Sequence, residues 1–92
     1  MEKAINYMEI WVKECMEKLL IENDMCKCDK CKKDIFALAL NNLKPYYVST
    51  NKGEIMAKIS GMYKQFETDI VIEVSKAIET VKKYPKHTDE TF

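Results

Sequence analysis

The sequence predicts an all-α fold, a three-helix domain in which two long helices pack around a short buried central one. Three observations predict it. Apolar residues recur at steps of three and four through most of the 92 residues. Pro45 and Pro85 fall where two of these stripes stop. Between the first two stripes lies a short charged loop that carries three of the four cysteines.

The first helix is expected over residues 2–23. Ile5, Met8, Val12, Cys15 and Leu19 repeat at helical spacing, and Trp11, Met16 and Leu20 broaden the stripe. Glu and Lys fill the opposite face, and Asn23-Asp24 is the stop. After the loop at 24–33, a second helix is expected over about 30–43. Its middle, residues 35–40, is apolar almost all round, which predicts burial on every side. Asp34 lies in its expected first turn, where a negative charge suits the helix dipole. Pro45 ends it, because the residue before proline avoids helical geometry.

Residues 46–49 read as an extended link. Thr50 or Asn51 can cap the third helix, Asn51 and Glu54 having capping-box spacing. That helix is expected over 52–83, with Met56, Ile59, Tyr63, Phe66, Ile70, Val74, Ala77 and Val81 on one face. Gly61 inside it is expected to allow a close helix contact. Residues 85–92 read as a loose polar tail, leaving 1–84 as a single domain. Some thirty helical residues extend about 45 Å, against roughly 30–35 Å across a compact chain of this size. The continuous stripe therefore predicts a homodimer built on the third helix.

Charge is balanced at 15 basic and 15 acidic residues. Every basic residue is lysine, so bidentate reading of guanine, phosphate or carboxylate by arginine is excluded. Direct DNA binding is not expected. The N-terminus carries no secretory pattern, and the longest apolar run is six residues, far short of the roughly 20 that span a bilayer. A cytoplasmic protein without a membrane segment is expected. In that compartment grouped cysteines are metal ligands or redox groups more often than disulfides.

Cys26, Cys28 and Cys31 form C-x-C-x2-C. Three close thiolates suit tetrahedral Zn2+, which wants a fourth ligand. Cys15 is preferred: it lies about 12 Å along the first helix from its expected end, and the link to Cys26 covers about 10 Å. The alternative place for Cys15 is as a small core residue. His87, water or a second subunit are the other candidate ligands. Lys27, Lys30, Lys32 and Lys33 offset thiolate charge or form an anion site beside a helix N-terminus. Tyr46 and Tyr47 either pack the link or offer stacking surfaces.

The run from 26 to 48 resembles the signature of the late competence development family ComFB, loosely C-x-C-x2-C-x2-D-[IV]-x-A-L-x-L-N-x-L-x-P-x-Y-V. Cys26, Cys28, Cys31, Asp34, Ala37, Leu38, Leu40, Asn41, Leu43, Pro45, Tyr47 and Val48 match. The resemblance covers about residues 3–83. It implies a helical, zinc-binding homodimer without enzymatic activity, linked to DNA uptake in some bacteria and to cyclic dinucleotide reception in competence and motility in others. Many relatives carry arginine within or beside the motif, where this chain has lysine. Lys30, Lys33, Asp34, Asn41, Lys44 and Tyr47 form the candidate nucleotide set. The leading expectation is a regulatory binding module that senses a cyclic dinucleotide or docks on a competence-related protein; the second is a structural adaptor that binds protein alone. A thiol or metal enzyme is set aside, since one histidine in the tail offers no nucleophile–base pair.

Overall fold

The structure, a computed structural model, describes residues 4–23, 25, 27–49 and 52–83, with the helical backbone alone for 52–60. The element order is β1 (Ile5–Asn6), α1 (Met8–Ile21), α2 (Asp29–Asn41), β2 (Tyr47–Val48) and α3 (Lys52–Lys83). The chain is therefore three-helical, as expected, with one small addition. β1 and β2 pair antiparallel, Ile5 with Val48 and Asn6 with Tyr47.

That pairing corrects the expected start of the first helix. α1 is 14 residues long, not a long helix from residue 2. Asn6 is the reason. Its side-chain oxygen accepts hydrogen bonds from the Met8 N–H at 3.1 Å and the Tyr46 N–H at 2.8 Å. Such a side-chain acceptor draws backbone donors away from the helical pattern. The Tyr7 N–H donates to the Tyr46 carbonyl at 2.7 Å, so the segment before α1 is tied to the link after α2.

α1 and α2 end alike. The Asn23 amide donates to the Leu19 carbonyl and the Asn42 amide to the Leu38 carbonyl, each at 3.0 Å. Each helix thus finishes on an asparagine that fills an orphan carbonyl four residues back. α2 stops three residues short of the position before Pro45, on its own side-chain cap.

The core gathers Met8, Trp11, Val12, Cys15, Met16 and Leu20 of α1, Cys31, Ile35 and Ala39 of α2, and Ile70, Val74, Ala77, Ile78 and Val81 of α3. The central helix is buried on one face, not all round. Ile35 is fully buried while Ala37 is exposed. Two flanking helices of a single chain leave its outer side uncovered. The α3 stripe from Ile70 to Val81 is consumed within the chain, so those positions belong to its own core and not to a seam with a second copy. The expected contributions of Met56 and Ile59, and the Thr50 and Asn51 caps, lie outside what is described. A Cβ at Gly61 would meet nothing within 4 Å among the described residues, so the expected close contact is not made there.

Candidate functional site

α2 begins in the cysteine loop. Cys28 is its N-cap residue, with φ −72° and ψ 168°, and the Lys32 N–H donates to the Cys28 carbonyl at 3.0 Å. Cys31 is therefore the third helical residue, one turn on and on the same face. Cys28 is exposed and Cys31 buried. Met25, just before the cluster, packs against the core. Cys26 lies outside the described residues, as do His87 and the tail. Among the described residues no three histidine, cysteine or carboxylate side chains converge. The chemistry of the donors fits a thiophilic metal: two soft sulfurs come from one helical turn, with a third cysteine two positions earlier in sequence.

Cys15 sits in the same core as Cys31. Burial raises its thiol pKa above the ordinary value; Lys18 lowers it in part, and Glu67 adds to the rise. Tyr63 is raised likewise by burial, with Glu67, Cys15 and Glu14 contributing. The electrostatic surroundings of Cys15 thus include α3 as well as its own helix. Its core reading holds, and its ligand reading is compatible with the shared core.

The lysines of the loop are partly engaged. Lys30 pairs with Asp34 at 3.3 Å and Lys32 with Glu17 of α1 at 3.7 Å, while Lys33 is exposed. Such solvent-facing pairs hold geometry more than they stabilise. α2 starts at Asp29, so Asp29 fills the first turn and Asp34 lies in the second. A cavity of about 360 Å³ opens here between α1 and α2, walled by Lys13, Glu17, Lys32, Lys33 and Phe36 among others.

The other half of the candidate nucleotide set lies at the far end of the same helix. Asn41, Lys44 and Tyr47 are exposed there, Tyr47 by 64%. Thirteen residues of helix separate the two groups by about 20 Å. Within one chain the six residues form two clusters. The two tyrosines also differ: Tyr46 stacks on Trp11, with centroids 5.5 Å apart, while Tyr47 faces out. Lys44, Tyr46, Phe66, Asp69 and Glu73 wall a cavity of about 500 Å³. Sequence reasoning missed this cavity and the ring cluster of Tyr7, Trp11, Tyr46, Tyr63 and Phe66 beside it. The available signal was the i, i+4 acid pair Asp69 and Glu73 flanking the apolar stripe of α3.

Residues 5–85 match the family model described as late competence development protein ComFB. The chain belongs to the ComFB family. Competence protein ComFB of Bacillus subtilis (strain 168) is 28% identical over 88 residues, which cover 95% of this chain and 90% of that protein. A solved structure of the late competence protein ComFB from Bacillus subtilis matches with a TM-score of 0.75 at 27% identity, over 98% of this chain and 100% of that one. The family read from residues 26–48 is borne out, and ComFB membership links the chain to competence. In this ComFB fold the signature spans the cysteine loop, α2 and β2. Among the described residues no helix is long and apolar enough to cross a membrane.

Proposed function

We propose that this ComFB-family chain is a non-enzymatic, zinc-organised regulatory module that receives a cyclic dinucleotide at the N-terminal end of α2. The observation that carries the reading is the placement of Cys28 and Cys31 on the first turn of α2, beside exposed Lys33. Cys26, Cys28 and Cys31 would hold the metal, with Cys15 as fourth ligand. When bound, zinc would tie the loop to the helix, and the loop lysines would offset the net negative charge of the thiolate site. The residues around it supply the rest: the positive end of the α2 dipole and lysine charge attract phosphate.

The two ends of α2 are not equivalent for this ligand. At the far end Asp69 and Glu73 stand beside Lys44 and repel phosphate. Asn41, Lys44 and Tyr47 therefore reach the same nucleotide from a second chain. A homodimer is kept in the proposal, with its contact moved from the α3 core stripe to the outward face that carries exposed Val71 and Ile72.

Native mass spectrometry is the test, because it counts subunits, metal and retained nucleotide together. One zinc per subunit in a dimer is expected. Titration calorimetry with each cyclic dinucleotide, at low and moderate salt, should show binding that weakens with salt. No heat and no melting shift at about 100 µM would remove the receptor, since a 1 µM ligand would then stabilise the fold by about 2.7 kcal/mol. A protein-only adaptor would be the reading left.

A further inference from the structure

The start of α2 sorts two of its thiols by access. Cys28 is exposed, whereas Cys31 is only 1% exposed and belongs to the core cluster with Ile35 and Ala39. The two also stand in a fixed relation. Cys28 is the N-cap of α2, extended at ψ 168°, and Cys31 is the third helical residue. The Lys32 N–H donates to the Cys28 carbonyl at 3.0 Å, which closes the turn between them. A side chain at the N-cap lies beside the backbone of the second and third helical residues. Residues three apart on a helical path have Cα atoms about 5 Å apart, inside the roughly 4.4–6.8 Å that a disulfide bridges. The backbone is thus at bridging distance in the folded chain, and side-chain rotation completes the approach.

We propose that Cys28 and Cys31 form a reversible thiol–disulfide switch, in which Cys28 is the site modified by a low-molecular-weight disulfide and Cys31 is the resolving thiol. The Cys28 sulfur attacks one sulfur of the oxidant RSSR, forming Cys28–S–S–R and releasing RSH. The Cys31 sulfur then attacks Cys28 Sγ, forming the Cys28–Cys31 bond and releasing the second RSH. The chain loses two hydrogens with their electrons, and RSSR gains both as two RSH. Access sets this order, because an outside disulfide meets the exposed sulfur and not the buried one. Cys15, buried on α1, stays reduced. The regulatory half rests on the zinc reading above. Zinc binds thiolates, and a disulfide offers none. Closing the bond withdraws two of the proposed ligands, so Zn2+ leaves and the released thiolates take protons from solvent. The metal-holding end of α2 thereby follows the thiol poise around it.

The experiment treats the full chain, loaded with zinc, with oxidised glutathione. Intact mass, peptide mapping of the disulfide and release of zinc to a coloured chelator are followed together. A transient adduct of one glutathione on Cys28 is expected first. A Cys28–Cys31 disulfide should follow, with one zinc released per disulfide and full reversal by dithiothreitol and added zinc. Cys31→Ala removes the resolving thiol and should accumulate the Cys28 adduct. That variant also loses a proposed ligand, so the wild-type map decides. A bond mapped to Cys15 or Cys26, a lasting adduct on wild-type Cys28, or no reaction overturns the proposal. A Cys28–Cys31 bond that forms with zinc retained overturns the switch. A chain that holds no zinc yet closes Cys28–Cys31 overturns the zinc reading and leaves the thiol pair standing; a chain that holds zinc and never closes does the reverse.

Discussion

At its N-terminal end α2 carries Cys28, Lys30, Lys32 and Lys33, and its first turn presents the positive end of the helix dipole. At its C-terminal end, about 20 Å away, it closes on Asn42 and faces Asp69 and Glu73 across a cavity floored by aromatic rings. One end is basic and rich in thiols; the other is acidic and thiol-free. The difference follows the helix itself, whose dipole favours anions at the first end and cations at the second. What joins the ends is the buried line of Cys31, Ile35 and Ala39, which fixes both against α1 and α3. A single 13-residue helix thus carries ends of opposite dipole sign, each supported by a different neighbour.

The sharpest way to separate the ends is to disrupt the proposed metal site at the first. Cys28→Ser is expected to abolish zinc binding and much of the thermal stability, since structural zinc contributes folding energy directly, about 10–16 kcal/mol of apparent binding free energy in small zinc domains. Metal analysis and melting curves on protein purified without chelators check it. A variant that keeps a full equivalent of zinc and an unchanged melting temperature would place the metal elsewhere.

The next effect should not distinguish the ends at all. Ile35 is fully buried midway along α2. Ile35→Ala should cost about 2–5 kcal/mol through lost burial and the cavity left behind. Denaturant unfolding measures it. If amide exchange loosens at one end of α2 while the other stays protected, the two ends do not share a core.

Much of this was legible in the sequence. The three helices, the family motif and the core positions of Val12, Ile70, Val74 and Val81 follow from period and spacing. What escaped has a common physical origin. The β1–β2 pair depends on Asn6 bonding to Tyr46, forty residues away, and no local pattern encodes that partner. The α3 stripe was readable as apolar, but periodicity does not say whether a second chain or the same chain covers it. The acidic cavity needs α2 to end against α3, so Lys44 and Asp69 acquire their relation only in three dimensions. The lysines were legible as a patch, yet not that Lys30 and Lys32 are partly held by Asp34 and Glu17.

A smaller effect tests the sign difference in binding. Lys33→Glu places a carboxylate at the basic end and should weaken cyclic dinucleotide binding about tenfold, with a shallower salt dependence. Lys44→Glu, which reaches the nucleotide from the second chain, should weaken it to a like degree. Calorimetry of both variants at two salt concentrations orders the contributions. A loss at Lys33 alone would mean that the two ends do not meet across the dimer.

The smallest effect is a gain. Asp69 and Glu73 are like charges at i, i+4 on α3, a spacing that destabilises an isolated helix by about 0.2–0.5 kcal/mol. Lys76 lies near Glu73 but is 70% exposed, so it screens the pair weakly. Asp69→Asn keeps the shape of the side chain and removes one charge, so the fold should become more stable by about that amount in low salt, and the gain should shrink as salt is added. The corresponding change at the basic end behaves differently. Lys30→Gln removes the partner of Asp34 at 3.3 Å and should be neutral or slightly destabilising. Matched denaturant melts of the two variants at two salt concentrations provide the measurement. If Asp69→Asn instead destabilises the chain, that carboxylate is held by a contact within the fold, and the electrostatic contrast between the two ends of α2 is weaker than the geometry implies.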